Sequence, residues 1–133
     1  MGFLNKYFGS SIGAITEKKD SPLPWIPLIG AEQLSDIVAK SKIRPQVIFK
    51  HSTRCGISSM VMNQFVDAYN VKEDALDLYY LDLISYRELS NEVANKFQVV
   101  HESPQLLVVV DGAVVDHESH GQILELDFGR FVE

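Results

Sequence analysis

The chain has 133 residues, 46% of them hydrophobic and 23% charged, and its 12 Lys and Arg against 18 Asp and Glu give a net charge of −6. That length supports one domain with its own apolar core, while an acidic chain with no basic run disfavours phosphate backbones, so no nucleic-acid partner is expected. A single cysteine, Cys55, excludes an intramolecular disulfide and suits a reducing compartment. No stretch approaches the ~20 apolar residues of a membrane span. The N-terminus lacks a signal-peptide core, and "MGFLNK" has Lys6 where a myristoylation signal needs Ser or Thr. A cytoplasmic, soluble monomer with no membrane partner is the expectation.

Residues 1–24 read as an N-terminal arm. Phe3, Leu4, Tyr7 and Phe8 can share one face of a short helix, and "GSSIGAITEKKDSPLP" has tether composition. From Trp25 to residue 133 the pattern is that of a folded domain. "WIPLI" is a short apolar run. "AEQLSDIVAKSK" places Leu34, Ile37 and Val38 on one helical face, and Pro45 ends that region. "QVIFK" reads as a buried strand. "GISSMVMNQFVDAY" puts Ile57, Met60, Val61, Phe65 and Ala68 near one stripe of a second helix, and "DLYYLDL" is the next strand. In "SYRELSNEVANKF", Ser85 and Glu88 form a capping-box pattern, with Leu89, Val93 and Phe97 facing inward. Asp111-Gly112 between valine-rich runs signals a β-hairpin. "SHGQILELDFGRFVE" fits a terminal helix through Leu124, Phe128 and Phe131, although Gly129 weakens it by ~1 kcal/mol relative to alanine. The order β-α-β-α-β-α-β-β-α predicts an α/β fold: a mixed central sheet with helices on both faces.

The chemistry-bearing stretch is "KHSTRCGISSM". Cys55 falls where a strand hands over to a helix. Unpaired N–H groups and the dipole at a helix N-terminus favour an anion, and Arg54 and Lys50 add cationic potential, so a thiolate is expected there. Ser58 stands where a Cys-x-x-Cys pair would have its second sulfur. Its hydroxyl can donate a hydrogen bond to the sulfur of Cys55 but cannot resolve a mixed disulfide, so an external thiol must do so. His51 is either a strand-end residue or a base for Cys55. Asp82 caps or pairs locally. His117, Glu118 and His120 read as a solvated turn rather than metal ligands, and no metal is expected. Pro104 opens a strand, where proline is tolerated.

With "FKHSTRCGIS", "ESPQLLVVVDG" and this element order, the chain resembles a thioredoxin-fold protein, and from Trp25 onward the YtxJ-type monothiol bacilliredoxins of the bacterial bacillithiol system. The resemblance implies a thiol–disulfide oxidoreductase. Cys55 would be the attacking thiolate, with Gly56 and Ile57 completing its motif. Ser103-Pro104 would be a cis-proline loop whose Ser103 backbone pairs with substrate. Lys50, Arg54, His51 and His101 become candidates to meet the carboxylates of bacillithiol, which carries a malate. The implied partners are S-thiolated proteins and a low-molecular-weight thiol. Bacillithiol is then a co-substrate, and no cofactor is held tightly. The chain also sits close to the Cys-Gly-Phe-Ser of monothiol glutaredoxins, so a carrier holding a 2Fe–2S cluster between two chains is an alternative. A thioredoxin-fold stress or binding protein without turnover is another.

Overall fold

The strand–helix alternation closes into a single five-stranded sheet in a computed structural model of the chain, which describes residues 23–72 and 74–131. The expected arm, with Phe3, Leu4, Tyr7 and Phe8, lies outside the described residues except at its end. The strands are β1 (Ile26–Pro27), β2 (Gln46–His51), β3 (Asp77–Asp82), β4 (Gln105–Val110) and β5 (Ala113–Ser119), in the order β1-β3-β2-β4-β5. β1 and β2 pair parallel with β3, while β4 runs antiparallel to both β2 and β5. Pro27 sits in the edge strand β1, where its missing N–H can face away from the ladder.

Three helices cover the sheet: α1 (Glu32–Lys40), α2 (Gly56–Ala68) and α3 (Arg87–Phe97). A pleated strand sends alternate side chains to opposite faces. Ile48 of β2 therefore joins Leu34 and Ile37 of α1 and Leu89, Val93 and Phe97 of α3 in one core layer. Val47 and Phe49 join Val61 and Phe65 of α2 in the other. The helices lie on both faces, as the alternating pattern predicts. Trp25, Phe49 and Phe65 stack edge-to-face or tilted, with centroids 5.1–6.1 Å apart, and extend the second layer.

The hairpin forms at Asp111-Gly112. Val110 pairs with Ala113, and φ is 53° at Asp111 and 81° at Gly112, as a type I′ turn requires. Gly112 N donates to Ser41 Oγ at 2.8 Å, which ties the turn to the end of α1.

Several expectations are corrected. The terminal segment is not an α-helix but two 3-10 turns, His120–Glu125 and Phe128–Arg130. His120 has φ 55° and Leu126 is extended, so no helical register runs through. Asp127 instead caps Gly129 N at 2.9 Å. Ile123, rather than Leu124, is the buried residue of this segment. Ser85 does not cap α3: its hydroxyl donates to Asp82 Oδ2 at 3.1 Å, and Tyr86 occupies the N-cap without a side-chain bond. Asp82 does act locally, also accepting from Ile84 N at 3.0 Å. His117 and Glu118 lie in β5 rather than in a turn. In α2 only Val61 and Phe65 of the predicted stripe are buried; Ile57 and Met60 are exposed beside the thiol, and Ala68 is exposed near the far end.

Candidate active site

β2 ends at His51, the chain turns through Ser52, Thr53 and Arg54, and α2 begins at Gly56. Cys55 is the N-cap of α2, extended at φ −106° and ψ 122°. Its N–H donates to Ser52 O at 3.3 Å, and its carbonyl accepts from Ser59 N at 3.0 Å. The residue is half-buried, makes no side-chain cap bond, and has no acidic residue in the turn that follows. The sulfur therefore stands at the amide-rich, electropositive end of a helix more than three turns long. Arg54 is exposed next to it, and so is Gly56, where a Cβ would meet nothing within 4 Å. Ile57 and Met60 add apolar surface on the next turn.

Ser58 is fully buried, and its hydroxyl does not bond the sulfur as expected. It accepts from Ser52 N at 3.1 Å and lies 2.8 Å from His51 Nδ1. Burial holds His51 below the usual imidazole range, opposed in part by the Asp82 carboxylate across the ladder. The hydroxyl has one donor and two acceptor lone pairs, so it can hold both contacts at once: it donates to Nδ1 in the tautomer protonated at Nε2 and accepts from it in the other. Ser58 and His51 thus brace the turn that carries Cys55. His51, buried and 5.7 Å from the Tyr80 ring, is a support of that turn.

Lys50 requires a larger correction. It is not a surface cation beside the thiol: its relative exposure is 0%. Its side chain leaves β2 on the α3 face, where Nζ lies 3.3 Å from Ser90 O and 3.2 Å from His101 Nδ1. Burial lowers its ammonium from 10.5 to about 8. His101, half-buried, points its Nδ1 at that ammonium and at Ser90 Oγ, 3.2 Å away, rather than out toward a ligand. Ser90 was missed in the sequence; the available signal was a serine three residues before Val93, on the apolar side of α3.

Lys50 pairs with Gln105 across the β2–β4 ladder, which brings the start of β4 to the end of the sheet where Cys55 sits. The Ser103-Pro104 peptide is cis. Pro104 is buried and Ser103 half-buried. Neither the backbone N–H nor the carbonyl of Ser103 finds a hydrogen-bond partner among the described residues, and its Oγ is buried without one. Cys55, Arg54, Gly56, Ile57, Ser103 and Pro104 are therefore brought to one end of the fold. Lys50, His51, Ser58 and His101 lie behind them as support. Among the described residues no cluster of His, Cys, Asp and Glu could hold a metal, and no helix is long and apolar enough to cross a membrane.

A family model described as monothiol bacilliredoxin BrxC matches residues 26–127. Among solved structures, the chain is similar to a candidate oxidoreductase with a thioredoxin fold, at 33% identity over 76% of this chain and 88% of that one, with a TM-score of 0.64. Thioredoxin NaTrxh from Nicotiana alata aligns at 21% identity over 87% of this chain and 99% of its own, with a TM-score of 0.65. A thioredoxin of Malassezia sympodialis aligns at 18% identity over 71% and 76%, with a TM-score of 0.57. The last two share the fold alone.

Proposed function

This chain belongs to the monothiol bacilliredoxin family, and from that premise we propose that it removes bacillithiol from protein mixed disulfides through Cys55 alone. The family and the thioredoxin-fold oxidoreductase likeness establish the coarser statement, thiol redox chemistry. The finer reading rests on one observation: the chain's only cysteine is the N-cap of α2, at the same sheet end as a Ser103 backbone that has no hydrogen-bond partner among the described residues.

The chemistry then follows. The Cys55 thiolate attacks the bacillithiol sulfur of a protein–bacillithiol disulfide. A new disulfide joins Cys55 to bacillithiol, and the target cysteine leaves as a thiolate that takes up a proton. With no second cysteine in the chain, a second bacillithiol thiolate attacks the adduct, releasing the bacillithiol disulfide and restoring Cys55. The unpaired Ser103 backbone offers an N–H and a carbonyl to an extended target segment, in the manner of an added strand. Exposed Ile57 and Met60 offer apolar surface to the same segment, and exposed Arg54 meets the bacillithiol carboxylates. S-thiolated proteins in the cytoplasm are the partners of this reading.

Intact-mass spectrometry after incubation with a bacillithiolated protein tests it. The wild type should gain one bacillithiol while the target loses one, and Cys55→Ser should gain none. A target that keeps its bacillithiol in the presence of wild-type protein would refute the proposal.

A further inference from the structure

Lys50 is a cation at 0% exposure, and among the described residues no carboxylate pairs with it. Its ammonium instead meets Ser90 O of α3 and His101 Nδ1 of the loop that leads into β4. An ammonium can only donate, so Nδ1 must accept; the His101 ring is then neutral, with its proton on Nε2. Burial, Lys50 and Arg87, in that order, hold His101 below the usual imidazole range, and Glu102 opposes them. Ser90 Oγ approaches the same Nδ1 at 3.2 Å. The loop is short. It starts at Gln98, which ends α3 in the left-handed conformation, and reaches cis-Pro104. A second tie comes from Gln105, whose Nε2 donates to Val100 O at 2.9 Å.

We propose that Lys50 is a positioning residue that clamps the His101–Pro104 loop to α3 through His101 and Ser90, so that Ser103 presents its free backbone at the Cys55 end of the sheet. The consequence for catalysis rests on the reading of Cys55 as the attacking thiol. The clamp works on target binding and not on the sulfur, because Lys50 lies in the α3 layer and α2, which carries Cys55, lies in the other.

The clamp is open to acid. The groups that face the imidazole are Lys50 from β2, Ser90 and Arg87 from α3, and Glu102 on its own loop. Once His101 takes a second proton, two donors confront each other at Nδ1 and the contact fails. The loop loosens and target binding weakens as pH falls.

Lys50→Met keeps the length and apolar stem of the side chain but removes the ammonium. Three measurements on the full chain decide the matter. In the NMR titration of wild type and variant, the His101 midpoint should move up in Lys50→Met, because a neighbouring cation is gone. With a fluorescent peptide carrying a bacillithiol mixed disulfide, KM should rise on the order of tenfold, within what the two lost hydrogen bonds of the clamp together supply. Alkylation of Cys55 by iodoacetamide should proceed at an unchanged rate. His101→Gln, which keeps an acceptor that does not titrate, should lose the part of the acid rise in KM that His101 causes; His51 titrates in both proteins and cancels in the comparison.

An unmoved His101 midpoint, an unchanged KM, or an alkylation rate that drops in step with turnover would each overturn the clamp. If wild type turns over no mixed disulfide, the function of Cys55 falls by itself. The clamp is then judged by amide hydrogen exchange at Val99 and Glu102, the loop residues whose N–H groups are hydrogen-bonded, which Lys50→Met should accelerate; exchange as slow as in wild type refutes it.

Discussion

Replacing Lys50 by methionine should make the protein more stable at neutral pH. Lys50 is fully buried, and burial lowers its ammonium from 10.5 to about 8. At about 1.36 kcal/mol per pH unit, folding with that lysine protonated is disfavoured by about 3 kcal/mol wherever the pH is below 8. The unfolded chain keeps the proton up to 10.5 and the folded chain up to about 8. Between those values the unfolded state binds more protons, so wild-type stability rises with pH across the window and the penalty is gone above it. Methionine fills much the same space without a charge. The substitution also removes the bonds from Nζ to Ser90 O and His101 Nδ1, each worth about 1 kcal/mol net. The His101 acceptor keeps Ser90 Oγ within reach. A net gain of about 1–2 kcal/mol at neutral pH remains. Urea unfolding of both proteins from about pH 7 to about pH 9.5 measures it. The gap should be widest at the lower end and close as pH rises. Tyr69, Tyr79 and Tyr80, pushed up to about 12 by burial, behave alike in both proteins and cancel in the difference. A variant less stable than wild type at neutral pH, or a gap that ignores pH, would refute the reasoning. A gain in stability alongside a loss in target binding is the signature of a residue kept for function.

Ser58→Ala should destabilise the protein by about 1–3 kcal/mol in the same urea assay, because it strands the buried Ser52 N–H and the His51 ring; a change too small to measure would show the turn to be braced otherwise. Gly112→Ala should lose about 1 kcal/mol through backbone strain at φ 81°, since the added Cβ would meet only Val38 Cγ1 at an ordinary 3.6 Å; Gly112→Asn, better suited to that conformation, should lose less. His51 is held neutral by burial, so below about pH 6.5 the unfolded chain takes up its proton more readily and stability falls with pH. His51→Gln should flatten that fall in a thermal-unfolding series, and an undiminished slope would exclude His51 as its source.

What was legible in the sequence is what depends on near neighbours along the chain. The position of Cys55 at a strand-to-helix junction follows from a change of apolar period between "QVIFK" and "GISSM", and the hairpin from Asp111-Gly112 needing positive φ. What failed depends on which layer a side chain enters. The Cys-x-x-Ser spacing points Ser58 at the sulfur, because Ser58 stands where a redox pair would have its second thiol. In the fold it faces the end of β2, where the hydroxyl holds His51 and the Ser52 amide together. Ile57 and Met60 fit the apolar stripe of α2, yet the helix meets the sheet through Val61 and Phe65, with Ser58 buried in its first turn and Ile57 and Met60 left exposed. The terminal helix failed because its apolar residues fit a helical period while Asp127 and the backbone at His120 and Leu126 do not. Lys50 is the instructive case. In a strand buried on both faces, parity decides the layer: Val47 and Phe49 go with α2, and Ile48 with α1 and α3. Lys50 shares the parity of Ile48, and so belongs to the layer that does not carry Cys55. Counting residues along "QVIFKH" would have placed the ammonium behind the sheet from the start. From there its bonds lead away from the sulfur, to α3 and to the loop that bears Ser103, and any influence on the thiol chemistry has to pass through how that loop receives a target.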